Sequence, residues 1–169
     1  MTISQMLLPE FDEEMKNTRK MLERVPDGKF DYRPHPKSMT MGKLAAHVAD
    51  GVGWATVTLD VEVFDLPADA KPFYARTQAE LLETFDRNVK ASRQKIEAAT
   101  DADWAKIWTM KTGDRVFLSM PRASVVRSMI MNHVIHHRAQ LSVYLRLNDI
   151  AVPGMYGPSA DESASSQAA

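Results

Sequence analysis

The sequence contains no cysteine. Disulfides, CxxC redox chemistry, thiolate metal ligands and a cysteine nucleophile are therefore excluded. It also has no excess of either charge: 21 Lys and Arg stand against 22 Asp and Glu, for a net charge of -1. A chain this close to neutral has no electrostatic footprint for nucleic acid. Its one basic cluster, Lys16, Arg19, Lys20 and Arg24, is interleaved with Glu13, Glu14 and Glu23, which reads as a solvated helix face. No run approaches the ~18 apolar residues needed to span a bilayer. The first residues, MTISQMLLPEF, lack the basic region and the length of a secretory signal. The expectation is a cytoplasmic protein with neither a membrane nor a nucleic-acid partner.

What is present is helical periodicity. The 169 residues, 44% hydrophobic and 25% charged, suit one globular domain. Four long segments place apolar residues at spacings of three and four. The first runs from about residue 4 to 24, and Pro9, tolerated only in a first turn, sets the start of its regular part near residue 9. Thr40 is the N-cap expected for a second helix over 41–59. Thr77, with Glu80 three residues on, caps a third over 78–99. Pro121 opens a fourth that runs to about residue 148. Four helices of roughly 20 residues, each about 30 Å long, imply an all-α four-helix bundle with long crossover connections. Thr-Gly-Asp inside WTMKTGDRVFLSM is compatible with a small hairpin between helices three and four. The bundle is expected over 1–153, followed by a polar, partly disordered tail over 154–169.

The residues that stand out are histidines. MNHVIHHRAQL, at 131–141, holds three within five positions. His133 and His137 are one helical turn apart and share the face that carries Ile130, Leu141 and Tyr144. His136 lies about 60° round on the flank. Arg138 lies nearly opposite and is expected to face solvent or another subunit. Two imidazoles so spaced can converge on one cation, although two core histidines bonded to neighbours would look the same. A third ligand must come from another inward face. His35 sits in the proline-rich RPHPK and is expected to be exposed. His47 sits mid-helix in KLAAHVADGVGW, with Leu44, Gly51 and Trp54 on its side, and supplies the imidazole that the pair lacks. The glycine at 51 weakens the helix, which a bulky neighbour or a close helix crossing would equally explain.

Three stretches together resemble the DinB-like (DinB/YfiT) family of metal-binding four-helix bundles, over nearly the whole chain. They are SMTMGKLAAHVAD, NHVIHHRAQLSVYLR and VPGMYGPSADE. The second is similar to the family's H-x-x-H-H-R-G-Q run, with Ala139 in place of the glycine. The resemblance implies that His47, His133 and His137 bind the metal, the same trio that helical geometry selects. It also implies a homodimer, and for some relatives thiol-dependent S-transfer using a low-molecular-weight thiol. Arg138, Tyr144 and Arg146, a mixture of long polar and aromatic groups on helix four, are consistent with a dimer surface.

Three neutral histidines on one divalent ion leave coordination positions open, the composition of a catalytic site. Zinc and nickel both suit imidazole. The open position can hold water or an external thiol. Val134 follows His133 where HExxH requires glutamate, so a metallopeptidase reading loses its general base. Asp50, three residues past His47, is the nearest carboxylate that could orient a ligand or accept a proton, and a solvated helix residue is as good a reading of it. Gln140 and Tyr144 are second-shell candidates, as is His136, or else ordinary residues of the bundle. The tail acids Asp161 and Glu162 cannot be placed from sequence. Two functions stay open: a metal-dependent thiol S-transferase acting on small electrophiles, with a hydrolase as its variant, and a non-catalytic metal-binding, stress-related protein.

Overall fold

The chain folds around a core of helices with one small sheet laid against them; the computed structural model describes residues 1–162. Helix α1 spans Ile3–Leu22. Thr2 caps it reciprocally with Gln5, each side chain accepting from the other residue's backbone N–H. The regular helix thus begins six residues before Pro9 and runs through it. Continuing through a proline forfeits one i→i−4 hydrogen bond; Phe11, Met15, Met21 and Leu22 hold the helix in the core beyond that point.

The second helical segment is two helices. α2 covers Met41–Gly51 and α3 covers Trp54–Asp60, with a break at Val52 and Gly53. α4 (Gln78–Ala98) packs on α1 and α2 and starts at the expected Thr77 cap. The short α5 (Asp101–Ala105) is held by a Thr100–Asp103 capping box. It delivers Trp104 into the core, where the indole N–H donates to Ser4 Oγ at 2.8 Å and Ser4 in turn donates to Ala99 O.

Three strands follow the order β1-β2-β3, and they overturn the all-α expectation. β2 (Ile107–Thr112) and β3 (Arg115–Pro121) form the antiparallel hairpin that Thr-Gly-Asp suggested. Gly113 takes φ 55°, the left-handed conformation that a two-residue hairpin turn favours. β1 (Val63–Asp65) adds to β2 in parallel, Phe64 opposite Met110. Its three residues carry no readable alternation, and its partner lies far along the chain. The pleat puts Trp108 and Met110 of β2 on one face, and Leu118 of β3 is Met110's register partner. That face covers the helices.

The fourth helix is composite. α6 (Arg122–Ser124) leads into a π-helical stretch, Val125–Met131, and then α7 (Asn132–Arg146). The chain then folds back along α1 and α7. Asp161 pairs with Arg146 and accepts from Val152 N, while Glu162 accepts from Gly154 N. Residues 163–169 of the expected tail lie outside the described residues. No helix among those described is long and apolar enough to cross a membrane.

Candidate metal centre

α2 packs against α7, and this contact builds the site. His47 projects from α2 toward His133 and His137, which are adjacent on α7 because a helical turn separates them. The imidazole centroids lie 5.0 Å (His47–His133), 4.8 Å (His47–His137) and 4.5 Å (His133–His137) apart. One ring nitrogen from each falls within 4.8 Å of the other two. The Nε2 atoms of His47 and His133 are 3.1 Å apart. Two imidazole nitrogens bound at ~2.1 Å to one tetrahedral ion would be roughly 3.4 Å apart. The observed pair therefore sits at the spacing of two ligands on one ion, and the donor set fits a divalent metal.

His137 has its other nitrogen committed. Gln140 Oε1 lies 2.8 Å from His137 Nδ1. A carboxamide oxygen only accepts, so Nδ1 carries the proton and Nε2 keeps its lone pair for a metal. Burial is the main cause that pushes both His47 and His137 below the ordinary imidazole value. For His47 the fields of His137 and His133 add to it. For His137 the Gln140 hydrogen bond opposes it, and His133 and His136 reinforce it. Both rings are thus biased to the neutral, ligating form.

The other sequence candidates separate. Gln140 is at the site. His136 is exposed, its ring 4.9 Å from that of His137, and it is outside the three-nitrogen group. Asp50 is half-buried and outside it too; burial raises its carboxyl, and Arg87 partly offsets this. Tyr144 is buried and donates to Met39 O at 3.3 Å, edge-on to Tyr32. His35 accepts from Lys37 N in its own turn. Asp161 and Glu162 are held by the partners named above.

Two expectations on polarity are corrected. Arg138 does not face solvent: it is 2% exposed. Its guanidinium reaches Glu14 Oε2 at 2.8 Å, Thr18 Oγ1 at 3.1 Å and Tyr156 OH at 2.7 Å. Glu14, read as part of a solvated face, is buried as its partner. The back of α7 packs on α1, so this helix has two inward faces. Arg138, Tyr144 and Arg146 all spend their polar groups within the chain.

Beside the triad opens a cavity of about 240 Å³ that sequence reading did not find. Its walls are mostly apolar, with Trp54 from α3, Trp108 and Met110 from β2, and Met129 and Ile130 from the π-helical stretch. π-helical turns are rare and concentrate at functional sites; here the wider turn carries wall residues. Gly51 lines the same space, and a Cβ there would make only ordinary contact with Val134, so no tight crossing demands the glycine.

A family model described as the DinB family matches residues 1–168. The chain is 27% identical to the Bacillus subtilis protein YrdA over 155 residues, covering 92% of this chain and 89% of that one. A crystal structure of a DinB-like protein from Bacillus cereus superposes with a TM-score of 0.70 at 22% identity, over 88% of this chain and 95% of the other. The DinB-like protein YjoA of Bacillus subtilis gives 0.68 at 14%, over 91% and 99%. These two likenesses concern the fold.

Proposed function

The chain belongs to the DinB family, and we propose that it holds one divalent ion, zinc or nickel, on His47, His133 and His137 and transfers a low-molecular-weight thiol to small electrophiles. The observation that carries this reading is the convergence of three imidazoles, with no carboxylate among them, on the wall of an apolar cavity. Three protein ligands leave room for an exogenous one. A divalent ion bound there supplies Lewis acidity and holds a thiol in its thiolate form.

The chain's own groups have separate tasks. Gln140 fixes the tautomer and orientation of His137. Trp54, Met129 and Ile130 give an electrophile an apolar surface and exclude water from it. The nucleophile comes from outside, since the chain has no thiol. In the transfer the thiol loses its proton to solvent. Its sulfur forms a bond to the electrophilic carbon, and the leaving group departs with the electron pair of the bond that breaks.

The test begins with metal analysis of the purified protein. Metal-loaded and metal-stripped protein are then compared with a low-molecular-weight thiol and a panel of alkyl halides and epoxides. Metal-dependent thioether formation supports the reading. Bound metal without turnover on any thiol would instead assign the ion a non-catalytic role.

A further inference from the structure

Glycine is disfavoured in an α-helix and is kept there for a backbone or a packing reason. Gly51, the last residue of α2, has neither. Among the described glycines only Gly113 has a positive φ, so Gly51 is not a left-handed helix stop. Nor is it crowded. A Cβ at Gly42 would lie 2.8 Å from the Phe30 ring, and one at Gly53 would lie 3.1 Å from Asn88. At Gly51 the nearest atom would be Val134 Cγ2 at 3.7 Å, an ordinary contact. Gly51 and Val134 both line the cavity beside the triad, so the side chain that position 51 lacks would stand in that space.

The position is also next to the histidines. Gly51 follows His47 by one turn within α2, on the same face, and Val134 directly follows His133 in the chain. What the volume suits follows from its walls. Among the described residues that line it, none is Asp, Glu, Lys or Arg. A charged group entering it would lose its hydration without gaining a counter-charge. Trp54 and Trp108 supply indoles, and Met110 and Met129 supply thioethers, groups that attract aromatic rings beyond simple burial. An apolar cavity of roughly 150 Å³ holds one benzene ring, so a cavity of about 240 Å³ matches about ten carbons, a fused pair of rings.

We propose that Gly51 sets the size of molecule the site accepts, its missing side chain admitting an uncharged two-ring aromatic group beside the histidines. The inference rests on the transferase reading only in making this molecule the electrophile; the size limit stands on Gly51 and the cavity. Leucine at position 51 would return four carbons to the space and leave room for about six, a single ring.

The experiment measures binding of 2-naphthalenemethanol, benzyl alcohol and 2-naphthoate by calorimetry, to metal-free wild-type, Gly51→Ala and Gly51→Leu proteins. Wild type should bind the two-ring alcohol about tenfold more tightly than benzyl alcohol, from the additional apolar surface buried. It should bind the naphthoate anion about tenfold more weakly than the two-ring alcohol. Gly51→Leu should abolish the two-ring preference and keep benzyl alcohol within about threefold, which also reports that the pocket persists. Gly51→Ala should melt no lower than wild type and lose about threefold in affinity for the two-ring alcohol, so it keeps the size limit testable if the leucine variant folds poorly. The proposal is overturned if wild type prefers neither the larger ring system nor the uncharged form, or if Gly51→Leu keeps the two-ring preference. It is overturned equally if Gly51→Ala melts well below wild type, since the glycine would then serve packing. Metal-loaded wild type and Gly51→Leu are next given a low-molecular-weight thiol with benzyl chloride or 2-(chloromethyl)naphthalene. Size-dependent binding without turnover of either chloride leaves the role of Gly51 standing and removes the transferase reading. Turnover with the same preference in both proteins keeps the transferase reading and overturns the role of Gly51.

Discussion

Arg138 and Glu14 form a 2.8 Å ion pair shielded from solvent, one residue along the chain from the candidate ligand His137. Tyr156 closes the network, donating to Glu14 and accepting from Arg138. The pair fixes the back of α7 against α1 and so helps hold the histidine-bearing face toward α2. Removing one partner of such a pair leaves a charge buried alone, which costs about 3–5 kcal/mol. Arg138→Met is therefore expected to lower the urea unfolding free energy by that order. Arg138→Met combined with Glu14→Leu should recover much of the loss. A single mutant as stable as wild type would show that Glu14 reaches water.

Replacing His47, His133 or His137 with alanine is expected to reduce retained metal at least tenfold per subunit, while His35→Ala leaves it unchanged. Metal analysis after dialysis against a weak chelator reads this directly. Full occupancy in His47→Ala would remove α2 from the site.

Gln140→Leu keeps the bulk of the side chain and removes the acceptor for His137 Nδ1–H. Loss of such an outer hydrogen bond weakens metal affinity by roughly 10–100-fold. Gln140→Glu restores an acceptor and should restore affinity. Competition with a chromophoric chelator distinguishes the two; equal affinities for both variants would mean that Gln140 does not orient the ring.

The stability of metal-free protein should depend on pH through His47 and His137. Both have folded-state values below the ordinary 6.5. Between the lowered value and 6.5 the unfolded chain binds more protons, so stability is complete above about pH 6.5 and is lost as pH falls through the lowered values. Asp161 is held down to about 2 by Arg146 and the Val152 amide. Its contribution is complete above the ordinary aspartate value and does not vary in that window. Urea midpoints from pH 8 to 5 should fall on the acid side, and His47→Ala should flatten the slope. An unchanged slope in that variant would place the titration elsewhere.

The histidine trio was legible because helical period is a local property: four residues place His133 above His137 whatever surrounds them. The helix caps at Thr40 and Thr77 were legible for the same reason. Arg138 was misread because a helical wheel assigns one inward face, and α7 has two. The complementary signal was Glu14, a lone acid amid the apolar stripe of α1, but nothing local pairs residues so far apart. β1 was invisible because three residues have no period, and a parallel partner is a tertiary fact. The π-helical stretch was hidden similarly: its wider turns alter the register that an α-helical wheel assumes, so Met129 could not be assigned to a cavity wall, while Ile130 lies beside the histidines whose face it was read to share.

The Arg138–Glu14 pair also sets an order of events during synthesis. Glu14 leaves the ribosome 124 residues before Arg138, and at about 5–20 residues per second the interval is roughly 6–25 s. For that time α1 carries an acid on the face meant for the core, with nothing to neutralise it. Helix α1 can meet α4 before that, but the histidine pocket is completed only as the final helix arrives.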